Sequence, residues 1–175
     1  MKKINTNQWK EFCVGELFKI HRIEKTWTIG EVIEVEKGIP YITRKKFNNG
    51  IKFRVEKTNN MKLNPEGVIS FGAENTTFFY QKEPFITGNN MFLIDTRELS
   101  EKACLFLISC LQTLARWYSY NDGLNAEALS KEKIKLPVND KNTPDWEYME
   151  KYILKLEGKL EKMVNLINYL ENKDY

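Results

Sequence analysis

Between Met149 and Leu170 the apolar residues fall into one unbroken period. Met149, Ile153, Leu156, Leu160, Met163, Ile167 and Leu170 are spaced 4, 3, 4, 3, 4, 3, the a/d seam of a heptad repeat. Lys, Glu and Asn fill most of the intervening positions, apart from Tyr152, Leu154 and Val164. Upstream, Thr143 can cap a helix with Pro144 at its first position and Asp145 in its first turn. A helix from 144 to 172 would run roughly 43 Å. Gly158 in its middle costs about 1 kcal/mol relative to alanine. The seam is narrower than the stripe of a helix lying on a globular core, so it predicts a partner helix and a homodimer; a helix packed on its own domain is the alternative.

The chain before the seam reads differently. Ile39–Thr43, Val68–Phe71, Thr77–Tyr80, Pro84–Thr87 and Met91–Ile94 are short apolar or β-branched runs set between Gly and Asn turns. Ile51, Phe53 and Val55 alternate with Lys52 and Arg54, giving a strand with one apolar and one basic face. After Ser100, a plausible N-cap, a broad stripe from Ala103 to Ala115 predicts a core-facing helix. A turn at Asn121-Asp122-Gly123, a helical piece at Ala126–Leu129 and a strand at Ile134–Pro137 follow. Strands interrupted by helices without βαβ repetition predict an α+β, or irregular α/β, domain over residues 1–142, and a coiled-coil helix over 143–175.

Composition restricts the chemistry. The 175 residues carry 27 Lys+Arg, 24 Asp+Glu, one histidine and three cysteines, with 42% hydrophobic residues, enough for one globular core. No run reaches about 18 apolar residues, so no membrane span is expected. The first residues lack the apolar stretch of a signal peptide, and Cys13, Cys104 and Cys110 have no metal or disulfide spacing, so a cytoplasmic, metal-free chain is expected. His21 lies in the alternating run Phe18–Ile23 and reads as a strand residue rather than half of a dyad with Cys13. No phosphate-cradling, dinucleotide or zinc-protease motif occurs, nor the Asn/Asp-Pro-Pro-aromatic motif of amino-methyltransferases. Pro144-Asp145 with Glu157-Gly158-Lys159 spells a nuclease pattern, but on one helix the two carboxylates would lie about 18 Å apart, too far to share a metal.

Charge is uneven. From Tyr41 to Lys62 there are seven basic residues (Arg44, Lys45, Lys46, Lys52, Arg54, Lys57, Lys62) against Glu56 alone. The turn Thr43–Gly50 offers Arg44, Lys45, Lys46, Asn48 and Asn49, donors and acceptors suited to phosphates and base edges. It is expected to be mobile enough to enter a groove. Lys52 and Arg54 are expected to point together into solvent and meet phosphates. A solvated basic hairpin is the alternative.

Several segments taken in order carry a resemblance. They are Trp9–Phe18, Gly38-Ile39-Pro40-Tyr41-Ile42-Thr43-Arg44, Phe79–Asn89, Trp117-Tyr118-Ser119-Tyr120, Ile134-Lys135-Leu136-Pro137 and Pro144-Asp145-Trp146-Glu147-Tyr148-Met149 leading into the long helix. Together they resemble the specificity subunit of Type I and Type IIB-like restriction-modification systems across nearly the whole chain. The resemblance implies a target-recognition domain that reads one half of a split double-stranded DNA site, followed by a helical spacer. It implies no catalytic residues and no cofactor of its own. A separate modification subunit carries S-adenosylmethionine and transfers the methyl group, and a restriction subunit often joins it.

Such subunits usually hold two units with antiparallel spacer helices, whereas this chain has one. It reads as a natural half that pairs with its copy, or as a fragment; Met1 and a helix running nearly to Tyr175 favour the former. Base-contacting residues do not carry over from the resemblance. On chemistry alone the candidates are the Thr43–Asn49 turn, then Asn75, Thr76 and Thr77, with Tyr118, Tyr120 and Asn121 behind them. A coiled-coil adaptor without DNA recognition, and a nuclease using unrecognised carboxylates, are the competing readings.

Overall fold

A computed structural model describes residues 5–73, 76–118 and 123–171. Among the described residues, ten strands and four α-helices follow in the order β1 (Lys10–Cys13), α1 (Val14–Leu17), β2 (Ile20–Arg22), β3 (Glu34–Val35), β4 (Ile39–Ile42), β5 (Ile51–Val55), β6 (Val68–Gly72), β7 (Phe78–Gln81), β8 (Ile86–Thr87), β9 (Met91–Ile94), α2 (Glu101–Leu111), α3 (Ala126–Lys131), β10 (Lys133–Leu136) and α4 (Trp146–Glu171). One antiparallel sheet has the order β2-β9-β6-β7. A second, β3-β5-β4-β8, is antiparallel except where β4 meets β8. β1 and β10 form a separate ribbon that joins the two ends of the domain.

The apolar strand runs have a simple cause: the first sheet is covered on both faces. Along β9, Phe92 and Ile94 face a cluster with Cys104, Leu107, Leu111 and Leu129 from the helices. Met91 and Leu93 face the opposite way, onto Ile42 and Phe85 of the second sheet region. Helices, sheet and sheet therefore stack in three layers, and a strand in the middle layer cannot alternate apolar with polar. Beyond them Trp27, Tyr41, Val55, Met61 and Ile86 form a third cluster, where the Tyr41 hydroxyl donates to the Trp27 carbonyl at 2.6 Å. Ser70, fully buried, accepts from Gln81 Nε2 at 2.9 Å. The domain is a mixed sheet-and-helix fold ending in a long helix, as its periodicities indicate.

Two sequence expectations need correction. Ser100 does cap α2, accepting from Ala103 N at 3.2 Å, but Thr143 does not cap α4. Pro144 is bridged to Val138 and the Asp145 amide is bonded to the Pro137 carbonyl. The helix opens two residues later, at Trp146, with Asp145 Oδ1 accepting from Tyr148 N at 2.9 Å.

The larger correction concerns the seam, which divides. Met149 is 0% exposed and belongs to the domain core, with Tyr152 and Ile153 packed beside it. Phe106 of α2 meets the Tyr152 ring edge-on at 5.6 Å, and Lys102 pairs with Glu157 at 2.5 Å. Met149 and Ile153 are thus used by their own domain and are not available to a partner; Leu156 is half-buried. From Lys159 to Leu170 every residue is exposed, Leu160, Met163, Ile167 and Leu170 by 62%, 61%, 52% and 53%. The break between docked and projecting helix falls near Gly158, not at residue 143.

Candidate nucleic-acid interface

Loops from separate elements meet at one edge of the sheets. The β4–β5 turn leaves the end of β4, and the Gly88 amide beyond β8 donates to the Ile42 carbonyl at 2.9 Å. The Ala73 amide beyond β6 donates to Asn90 O at 3.3 Å. Gly123 also lies there, since a Cβ on it would sit 3.0 Å from the Ala73 carbonyl oxygen. Arg44 crosses directly over Gly72, where a Cβ would lie 2.6 Å from Arg44 Cγ. A shallow crevice is lined by Thr43, Arg44, Lys45, Gly72, Thr77, Phe79 and Met91. Arg44 and Lys45 are therefore neighbours of Thr77, which is distant from them in sequence.

The turn is pinned rather than mobile. Asn48, Asn49 and Gly50 have φ of 54°, 52° and 76°, a left-handed run that glycine and asparagine tolerate best. The Thr43 amide donates to Gly50 O at 2.9 Å and the Gly50 amide to Phe47 O at 3.1 Å. Asn49 Nδ2 donates to the Tyr80 carbonyl at 2.9 Å and to Gln81 Oε1 at 3.3 Å, so Asn49 anchors the turn to β7 and is not left for a base. Asn48 donates to Ile51 O at 3.3 Å yet stands exposed with Lys45, Lys46 and Phe47.

Other candidates separate by role. Lys52 is exposed, as the alternation of β5 requires. Arg54 is not the free phosphate ligand expected: its guanidinium holds Glu83 Oε1 at 2.5 Å and Oε2 at 3.0 Å, and donates to the Gly38 carbonyl at 2.7 Å. Alternation sets which face a residue takes, not what stands opposite. Thr76 is 5% exposed and its carbonyl accepts from Gln112 Nε2 at 3.1 Å, so its side chain is not at the surface. Tyr118 donates to Glu132, and that bond, with burial behind it, pushes its phenol up to about 12. Asn75, Tyr120 and Asn121 lie outside the described residues.

The edge also gathers residues that the sequence reading missed. Arg22 Nη2 donates to Asn90 Oδ1 at 3.1 Å, and Thr26 Oγ1 to Asn89 Oδ1 at 2.8 Å. Lys25 stands 4.4 Å over the Trp27 ring. The basic window from Tyr41 to Lys62 stopped short of them, and nothing in their spacing brings them to the turn. Cys13 Sγ donates to the Ser130 carbonyl at 3.0 Å, while His21 is exposed on β2. Among the described residues no group of three or more His, Cys, Asp or Glu could hold a metal ion.

The Arg54–Glu83 pair gives a stability prediction. Hydrogen bonding from Arg54 holds the Glu83 carboxyl below its ordinary value of 4.5. Both side chains are partly exposed, 33% and 47%, so solvent screening limits the bidentate pair to about 1 kcal/mol. Because the folded carboxyl is depressed, that contribution is present above the ordinary glutamate value and lost as pH falls through the lowered one. Arg54→Ala therefore lowers urea-unfolding stability by about 1 kcal/mol at neutral pH, and the difference closes in strong acid.

Known proteins resemble this chain in sequence and in fold. The chain is 32% identical over 163 residues to the Type II restriction enzyme BgcI specificity subunit S.BcgI of Heyndrickxia coagulans, covering 90% of this chain and 46% of that subunit. It thus spans about half the length of that curated relative. Among solved structures, a chain of a type I R-M system superposes with a TM-score of 0.63 at 13% identity, over 98% of this chain and 44% of that one. The S subunit from M. genitalium gives 0.57 at 16% identity, over 94% and 43%. The HsdS subunit from Thermoanaerobacter tengcongensis gives 0.59 at 13%, over 94% and 41%. These likenesses carry the three-layer domain and its terminal helix; the sequence match, running from residue 6 to residue 166, places the chain in the Type I restriction modification DNA specificity domain family.

Proposed function

We propose that this chain reads one half of a bipartite double-stranded DNA site and brings a methyltransferase subunit to it, acting as a cytoplasmic specificity subunit without catalysis of its own. S-adenosylmethionine belongs to the methyltransferase partner, and a restriction subunit can join the same assembly. The observation that carries the reading is the convergence of the loops after β4, β6 and β8 at one edge around exposed Lys45 and Lys46. Cations at such an edge meet phosphates, while Arg44 and Asn48 have the chemistry for base edges. A hairpin held from inside loses little entropy on binding.

The projecting end of α4 supplies the second half of the reading. About 13 residues of helix with a bare apolar seam are too short to persist alone in water. The seam is flanked by Lys159, Glu161, Lys162 and Asn165, a mixed-sign set that a second copy can match in antiparallel packing. Two copies so joined place two reading edges at opposite ends of one spacer, as a bipartite site requires. No helix among the described residues is long and apolar enough to cross a membrane.

The test is fluorescence anisotropy of the complex with its methyltransferase subunit, on selected and scrambled duplexes at several salt concentrations. Lys45→Ala and Lys46→Ala each flatten the salt slope by about one unit on both duplexes. Arg44→Ala weakens the selected duplex by roughly 1–3 kcal/mol and the scrambled one little. Failure of a random library to yield any preferred half-site would leave a dimeric adaptor as the better description.

A further inference from the structure

Among the described residues Phe47 is the most exposed large hydrophobic side chain, 75% accessible at the tip of the β4–β5 turn. An aromatic ring bared on a slack loop would mean little. Here the turn is held by the Thr43–Gly50 and Gly50–Phe47 backbone bonds and by the Asn49 amide on Tyr80. Gly50 leaves no room to relax inward, because a Cβ there would lie 3.1 Å from Ile42 Cγ2. The fold therefore presents the ring outward from a held backbone, with exposed Lys45 and Lys46 before it and exposed Asn48 after it. Lysine is depleted in protein–protein interface cores and favoured beside phosphates, so the surroundings select a polyanion over a protein surface.

Geometry narrows the contact. A two-stranded hairpin fits the major groove, about 12 Å wide, and not the minor groove of about 6 Å. The apolar feature of the major groove is the thymine C5-methyl group, to which a phenyl ring is complementary. The geometry points to Phe47 as a specificity-determining residue that packs against a thymine methyl of the half-site. This rests on the DNA-reading function proposed above and adds a base to it.

The experiment begins with the half-site selected by the wild-type complex from a random duplex library. Each thymine is then replaced singly by deoxyuridine, which removes the methyl and nothing else. At one position the wild-type complex should lose about three- to fivefold in affinity, the worth of one buried methyl group. Phe47→Ala should bind the thymine duplex more weakly and be indifferent to deoxyuridine at that position, and Phe47→Leu should keep part of the sensitivity. Selection repeated with Phe47→Ala should lose its thymine preference there. The ring is exposed, so the thermal midpoint should not move.

A half-site without thymine overturns the proposal, as does Phe47→Ala binding as tightly as wild type. So does Phe47→Ala weakening every duplex alike while keeping the wild-type deoxyuridine profile; the ring would then serve affinity or the methyltransferase contact. If wild type selects no half-site at all, the DNA-reading function itself fails, which is a separate result.

Discussion

Met163→Asp combined with Ile167→Asp should turn a dimer into a folded monomer. Both side chains lie on the projecting end of α4, 61% and 52% exposed within one chain, so neither substitution touches the domain core. Burial of such side chains against a partner is worth roughly 1.5–3 kcal/mol each. An unpaired carboxylate in the same place adds several kcal/mol of desolvation cost. Together they should weaken association at least ~1,000-fold, about 4 kcal/mol, read by sedimentation equilibrium. Circular dichroism should show an unchanged domain with some helix lost from the far end. A variant that unfolds outright would mean the projecting end packs on its own domain. A variant that stays dimeric would put the interface elsewhere and remove the spacer geometry from the functional proposal.

That experiment is needed because the sequence cannot divide the seam. Met149 and Met163 hold equivalent heptad positions, and period says only which face is apolar. Coverage is decided by α2, whose Phe106 and Lys102 reach Tyr152 and Glu157 some fifty residues away. The same limit explains other differences. β5 was legible from alternation alone, yet the fate of Arg54 depended on Glu83, which no local pattern places beside it. Strand β1 was missed because its partner residues are Lys133–Leu136, at the far end of the domain. β4, β6, β9 and α2 were legible because burial on one or both faces leaves a local signature. At the candidate interface the basic turn was visible as composition. Its rigidity, its bare ring and its meeting with Ala73, Asn90 and Gly123 were not, since they arise from left-handed backbone and long-range bonds.

The other half of the seam should give the opposite result. Met149 is fully buried in the cluster that holds Cys104, Leu107 and Leu111 of α2, so Met149→Ala removes packed methylenes and leaves a cavity. The expected loss is roughly 2–5 kcal/mol of unfolding free energy, a large share of the roughly 5–15 kcal/mol typical of a domain. Urea unfolding at concentrations below dimer dissociation measures it without contribution from association. Ile167→Ala under the same conditions should change almost nothing, because in the monomer its side chain is already in water. The contrast bears on function. If the first turns of α4 are part of the core, the helix leaves the domain at a fixed angle, and two copies hold their reading edges at one separation. A neutral Met149→Ala would show that α4 is only tethered. The paired domains would then tolerate variable spacing between half-sites, and selection on libraries of differing spacer length should reveal it.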